Sequence, residues 1–171
     1  STITRYIYNF FIGPRYSAQD LGYYGQAFKF HQIPYNVITS TITGVSYPVF
    51  SSLNNDKERQ MLYIQKIMRI TAFITFPVMI GLYCIVPNFI SVILTDKWMP
   101  MLPYFKILIL AGIAMPFISL NLNIFNAIGK PRIYFSMEFL RNGLIIALLF
   151  ILNSSIKVML YGYLIATYTT L

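Results

Sequence analysis

The sequence predicts an all-α fold, a polytopic transmembrane helix bundle. Of the 171 residues, 57% are hydrophobic and 11% are charged, whereas a typical soluble domain carries about 25% charged residues. The stretch from Ile70 to Thr95 contains no charged side chain. As a helix it would extend about 39 Å, against roughly 30 Å of bilayer hydrocarbon. A helix that is apolar on all sides needs apolar surroundings on all sides, so these observations favour a membrane protein.

The charge and cysteine content excludes several other classes. The net charge is +8, but no basic run alternates with a polar surface in the way a nucleic-acid-binding protein requires. The basic residues instead collect in the segments that flank the apolar stretches, which is typical of membrane proteins. Cys84 is the single cysteine, so an intrachain disulfide is impossible. We therefore expect no nucleic-acid partner.

We expect one partial membrane domain over residues 1–171 with about six helices. The expected ranges are 1–13 (truncated), 18–53, 59–95, 100–128, 133–152 and 158–171 (truncated). The apolar run from Ile3 to Ile12 is too short to cross a bilayer alone, and the last segment stops at Leu171 before it could span. Both ends are therefore expected to be cut, and the chain to be a fragment of a longer membrane protein.

The second helix is predicted to begin after a capping sequence, Ser17 to Asp20, which places a hydroxyl and a carboxylate at the positive helix end. Pro34 is expected to bend the helix because it removes one backbone hydrogen bond. Six polar positions fall within about 80° of one another on the helical wheel. They are Lys29, Gln32, Asn36, Ser40, Thr43 and Tyr47. A polar stripe on a membrane helix predicts contact with other helices or with a watery cavity.

The third helix combines a charged amphipathic start, from Asn54 to Arg69, with the charge-free stretch that follows. Pro77, Gly81 and Pro87 within that stretch are expected to act as bend points. We interpret the charge-free stretch as one wall of the bundle.

Pro100 and Pro103 are expected at the beginning of the fourth helix. Two short hydrophilic turns, residues 129–132 and 153–157, are expected to separate the fourth helix from the fifth and the fifth from the sixth. Small and polar residues again share one face of the fourth helix. They are Gly112, Met115, Pro116, Ser119, Asn123 and Asn126. Interhelical packing and cavity lining explain this face equally well. Glu138 and Arg141 are close enough on the fifth helix to pair.

The basic residues predict the orientation. Residues 54–69 and 129–141 hold Lys57, Arg59, Lys66, Arg69, Lys130, Arg132 and Arg141, while the alternate segments hold Arg15, Lys29, Lys97, Lys106 and Lys157. The richer pair of segments is therefore expected in the cytoplasm.

Catalytic chemistry is not predicted. The sequence has one histidine, His31, and acids only at Asp20, Asp56, Glu58, Asp96 and Glu138. None of these residues has the spacing of a metal site, and no glycine-rich phosphate loop is present. We therefore expect neither enzymatic activity nor a cofactor, and we interpret His31 as an interfacial side chain.

The sequence resembles the polysaccharide and O-antigen flippases, the Wzx-like lipopolysaccharide biosynthesis transporters of the multidrug/oligosaccharidyl-lipid/polysaccharide superfamily. The matching residues of the second helix and the loop after it are Gly22, Tyr23, Tyr24, Pro34, Pro48, Phe50, Ser51 and Asp56. The pattern continues with Pro77, Lys97, Trp98, Pro103 and the turn from Asn126 to Pro131. The order and spacing of these motifs are consistent over nearly the whole chain.

This resemblance implies a protein of two lobes around a central cavity, of which the chain would form most of the C-terminal lobe. The cargo would be a polyprenyl-diphosphate-linked oligosaccharide, moved across the bacterial cytoplasmic (inner) membrane by alternating access. Proton or sodium coupling is possible, and the partners would be the lipid-linked oligosaccharide, the bilayer and the N-terminal lobe. The candidate cavity residues are Arg5, Lys29, Asn36, Ser40, Thr43, Asn123, Asn126 and Arg141.

Three alternatives remain open within this prediction. The chain could belong to a multidrug-extrusion transporter or to a flippase of peptidoglycan precursors. A non-transporting membrane scaffold is the alternative from another class, but it would not need polar stripes that face inward. A glycan-polymerising enzyme would need a large polar loop with clustered charges, and no predicted loop is long enough.

Overall fold

A computed structural model describes residues 17–52, 57–127, 131–151 and 155–171, and within these ranges the chain is helical with no strand. The α-helices are α1 (Ala18–Ser52), α2 (Lys57–Phe89), α3 (Leu102–Ala127), α4 (Pro131–Ile151) and α5 (Ile156–Thr169). Except for the end of α2, which the sequence predicts at residue 95, their ends lie within about two residues of the predicted ones. The helix predicted over residues 1–13 lies outside the described residues. The all-α helix bundle is confirmed.

The start of α1 is capped as the sequence predicts. The Ser17 hydroxyl accepts a hydrogen bond from the Asp20 amide at 3.1 Å and donates one to the Asp20 carboxylate at 2.7 Å. The carboxylate lies where the helix dipole favours negative charge. α1 then continues as one helix through Pro34 and Pro48.

The connection between α2 and α3 is irregular, although the sequence predicts a single helix up to residue 95. After Phe89 the chain widens into a π-helical turn, Ile90–Leu94, and then tightens into a 3-10 helix, Asp96–Met101. The widening begins three residues after Pro87, whose missing amide proton weakens the α-helical ladder. Thr95 separates the two segments with φ 73° and ψ 161°. The chain therefore reverses within one non-helical residue.

α3 lies at the centre of the bundle and packs against α1, α2, α4 and α5. Its fully buried side chains include Phe105, Leu108, Ile109, Ala111 and Leu120. α2 lies at the periphery and buries one narrow stripe, at Ile67, Thr71, Thr75, Met79 and Val86. The spacing of four residues in that stripe is that of one helix face. Partly buried side chains such as Met68, Leu82 and Phe89 flank the stripe, and the opposite face of α2 points away from the bundle.

Two helical segments among the described residues are long and apolar enough to cross a membrane, Lys57–Leu94 and Asp96–Asn126. A small number of polar contacts connect them to their neighbours, as is usual between membrane helices. Lys106 of α3 lies 5.0 Å from the ring centroid of Tyr83 of α2, and the Tyr168 hydroxyl of α5 donates to the Leu110 carbonyl of α3 at 3.0 Å. These contacts attach α2 and α5 to α3.

The segment that contains Lys97 and Trp98 contacts the beginning of α1. The rings of Tyr23 and Trp98 meet edge to face with centroids 5.9 Å apart, and the Tyr23 hydroxyl donates to the Lys97 carbonyl at 3.4 Å. The 3-10 helix is thereby attached to α1. These contacts fix one end of the bundle.

Candidate functional site

α1 has two faces of opposite character. The side chains of Tyr24, Ala27, His31, Ile38 and Ile42 are buried, and these positions share the side that packs on α3. The predicted polar stripe lies on the other side: Lys29, Asn36, Ser40 and Tyr47 are exposed, and Gln32 and Thr43 are half-buried. The stripe therefore faces away from the other described helices.

The hydroxyl groups of this polar face are satisfied by the helix itself. Ser40 donates to the Val37 carbonyl at 3.2 Å, and Thr43 donates to the Thr39 carbonyl at 2.8 Å. Such bonds let a hydroxyl lie in an apolar region at small cost. One such bond could not satisfy the three donors of an ammonium or the four hydrogen-bonding sites of an amide. Lys29 and Asn36 therefore carry the chemistry of this face, which suits phosphate oxygens, sugar hydroxyls and water.

The predicted polar stripe of α3 lies largely inside the bundle. A Cβ on Gly112 would lie 2.8 Å from Nε2 of His31, and the Ser119 hydroxyl lies 3.4 Å from the Tyr35 hydroxyl. Of the two interpretations, packing therefore holds for Gly112 and Ser119. Asn123 donates to the Ser119 carbonyl at 2.7 Å, and Asn126 is exposed. The assignment of these two asparagines to a cargo cavity stays a prediction.

Arg141 lies between helices and is neutralised on its own helix. It is buried and donates to the Glu138 carboxylate at 3.2 Å, the partner that the spacing predicts. Both residues line a cavity of about 10 Å³ together with Asn121 and Thr170, which has room for about one water molecule. In this conformation Arg141 has no space for a sugar or a diphosphate.

The predicted site residues do not form one cluster. α1 packs on α3 and α2, whereas α4 packs on α5 and α3. Lys29, Asn36, Ser40 and Thr43 therefore share the open face of α1, and Arg141 belongs to another part of the bundle. Arg5 lies outside the described residues.

His31 is not the interfacial side chain that the sequence interpretation expects. Its side chain is 3% exposed, because Gly112 leaves the room into which the imidazole packs. The sequence contains a signal for this burial. His31 is one turn beyond Ala27 and two turns before Ile38, both of which lie on the buried face of α1.

The open grooves of the bundle are apolar. One groove of about 500 Å³ lies between α1 and α2, next to Phe30, Pro34, Pro77 and Gly81. A second groove, of about 360 Å³, borders α2, α3 and α5. Such linings suit lipid chains rather than sugars. Among the described residues, no three His, Cys, Asp or Glu side chains are arranged to hold a metal ion.

Comparison with known proteins connects this bundle to polysaccharide biosynthesis. The profile of a family described as polysaccharide biosynthesis protein matches residues 1–103. An uncharacterized membrane protein in the cps region of Klebsiella pneumoniae is 30% identical over 92 residues, 54% of this chain and 19% of that protein. The lipopolysaccharide biosynthesis protein WzxC of Escherichia coli K12 is 26% identical over 92 residues, with the same two shares.

A third relative has transport in its name. The succinoglycan biosynthesis transport protein ExoT of Rhizobium meliloti is 30% identical over 98 residues, 57% of this chain and 20% of that protein. The match thus spans about a fifth of the length of each of these relatives. No solved structure matches the chain.

Proposed function

Because the chain belongs to the polysaccharide biosynthesis protein family, as its resemblance to the Wzx-like flippases predicts, we propose that it forms one wall of a lipid-linked oligosaccharide flippase. The expected membrane setting agrees with the relatives, which are membrane and polysaccharide biosynthesis proteins. The proposed cargo is a polyprenyl-diphosphate-linked oligosaccharide. The proposed reaction is its movement between the leaflets of the bacterial cytoplasmic membrane by alternating access, with no covalent chemistry by the protein.

The open polar face of α1 carries this proposal. Its exposed Lys29 and Asn36 would be unfavourable against lipid, because charged and polar side chains inside membranes face cavities or other protein. A second lobe opposite this face would enclose an aqueous path lined by an ammonium and an amide. The ammonium would attract the diphosphate of the cargo, and the amide would contact sugar hydroxyls.

The distribution of charge supports a multi-pass arrangement. Lys57, Arg59, Lys66 and Arg69 at the beginning of α2 and Arg132 at the beginning of α4 are exposed. If consecutive helices cross in alternate directions, these two beginnings lie at the same membrane face. The positive-inside rule then places both in the cytoplasm, and the connection at Trp98 on the periplasmic side.

The proposal is tested first in cells. The complete gene is deleted in its own host, in a background without a redundant transporter, and the surface glycan is measured together with the lipid-linked oligosaccharide of the inner membrane. We expect surface glycan to disappear and the lipid-linked precursor to accumulate. Normal surface glycan in the deletion strain would overturn the proposal.

The second experiment tests the α1 face with matched lysines. Lys29→Ala, alone and combined with Asn36→Ala, is compared with Lys157→Ala, which removes an exposed lysine from α5. We expect the double variant to lower export about tenfold or more, in proportion to the loss of a charge-assisted phosphate contact, while Lys157→Ala retains it. Protein level in the membrane is measured for each. Equal export by all three at equal protein level would remove this face from the cargo path.

A further inference from the structure

His31 is buried among other helices without the hydrogen bonds that a buried imidazole normally has. Its side chain is 3% exposed, and neither Nδ1 nor Nε2 has a hydrogen-bond partner. The Phe28 carbonyl, one turn earlier, interacts with the ring without reaching hydrogen-bond geometry. Most buried side-chain polar atoms in proteins are paired. An ionisable side chain within a membrane bundle usually has a function there.

The surroundings of His31 form a close contact between α1 and α3. A Cβ on Gly112 would lie 2.8 Å from Nε2 and 3.0 Å from Cδ2 of His31, and 3.3 Å from the terminal methyl of Met79 on α2. The Tyr35 ring is parallel to the imidazole at a centroid distance of 6.3 Å. The imidazole therefore fills the seam where α1, α2 and α3 meet.

No charged side chain among the described residues compensates an imidazolium at this position; burial and the Phe28 carbonyl are what act on the ring. The titratable groups on the three helices near this level are Lys29 and Tyr35 on α1, Tyr83 on α2, and Tyr104 and Lys106 on α3. Lys29 is exposed, and Lys106 lies over the Tyr83 ring. An imidazolium in the closed seam would lack both water and a counter-charge.

A polar contact between α1 and α3 lies next to the ring. The Tyr35 ring is the one that is parallel to the imidazole, and the Tyr35 hydroxyl is 3.4 Å from the Ser119 hydroxyl of α3. A movement of α1 away from α3 at His31 would therefore also separate these two hydroxyls.

We propose that His31 is a proton-binding residue at the seam between α1 and α3, and that the bound proton favours an opened seam. The neutral imidazole fits the closed seam. The imidazolium gains water only when α1 moves away from α3, so the two states differ in their affinity for a proton. The idea that the bound proton helps to move the lobes rests on the proposed transport function. The binding of a proton by His31 does not depend on that function.

The first measurement uses the complete gene product in lipid nanodiscs with nitrogen-15 labelled histidine. The imidazole signal is assigned by its loss in His31→Gln, and the unmodified protein is titrated from about pH 8 to about pH 4. This range extends beyond the acidic limit for a free histidine, because an imidazolium in the closed seam lacks water and a counter-charge. We expect the signal of His31 to titrate in the acidic half of this range. A signal that stays that of neutral imidazole throughout would overturn the proposal.

The second measurement records the distance between α1 and the α3–α5 part of the bundle as the pH is lowered. In a Cys84→Ser background, spin labels are placed at the exposed positions Val45 of α1 and Ile165 of α5, because α5 is attached to α3. We expect the population with the longer distance to grow on acidification and this growth to be lost in His31→Gln. Lys157→Gln, which removes an exposed charge on α5, should retain it. Unchanged acid-dependent growth in His31→Gln would contradict the proposal.

The two proposals can fail separately. Normal surface glycan in the deletion strain, with a titrating His31 and an opening seam, would overturn the flippase assignment and leave the proton site standing. Loss of surface glycan together with a His31 signal that does not titrate would support the flippase assignment and overturn the proton site.

Discussion

α2 and α3 contain equally apolar stretches, each with a mean hydropathy of 2.0, yet 17% of the stretch in α2 is buried inside the bundle against 61% of that in α3. Phe73 of α2 is 81% exposed, whereas Phe105 of α3 is 1% exposed. Hydropathy thus identifies both as membrane helices without saying which one is central. In a bilayer, apolar surface gains nothing by moving from lipid into protein, so the position of a helix depends on how closely it can pack.

Small residues make the difference in packing. Ala111, Gly112 and Ala114 of α3 are all buried, and Gly112 lets α1 approach so closely that a Cβ would collide with His31. Gly81, the glycine of the exposed stretch in α2, has no atom within 4 Å of its Cβ position. Glycine therefore permits a close approach of another helix in α3, whereas the glycine of α2 has no helix packed against it.

The largest difference is expected from removing a phenylalanine from each helix. Phe105→Ala should lower the free energy of unfolding by about 3 kcal/mol, because the tightly packed centre cannot close over the cavity. Phe73→Ala should change it by less than about 0.5 kcal/mol, since lipid fills the space. Unfolding in mixed detergent micelles measures both values. Equal losses would mean that α2 is buried as deeply as α3.

A second test exchanges the two glycines for alanine. Gly112→Ala should destabilise the protein by about 2 kcal/mol, because the added methyl forces the His31 ring and α1 away from α3. Gly81→Ala meets no atom and should be neutral or stabilising by up to about 1 kcal/mol through its better helix propensity. The same unfolding assay applies. A tolerated Gly112→Ala together with a damaging Gly81→Ala would reverse the roles of the two helices.

What could be predicted from the sequence is local. The Ser17 cap, the helix ranges and the polar face of α1 follow from patterns within about one or two turns, and the structure shows a cap and a polar face at the predicted residues. The burial of His31, the central position of α3 and the neutralised Arg141 depend on which helices meet. Single-helix periodicity holds no such information, and the equal hydropathy of α2 and α3 conceals it.

The smallest change in stability is expected at the junction of α2 and α3. Thr95 has a positive φ of 73° with ψ 161°, a conformation that is strained for a β-branched residue by about 1–3 kcal/mol. Thr95→Gly should therefore stabilise the protein by about 1 kcal/mol, after subtracting the greater freedom that glycine gives the unfolded chain. Thr95→Ala is the matched control, since it keeps the Cβ that causes the strain and should not stabilise the protein. If alanine stabilises it as much as glycine, the backbone at Thr95 is relaxed, and the turn between α2 and α3 stores no strain.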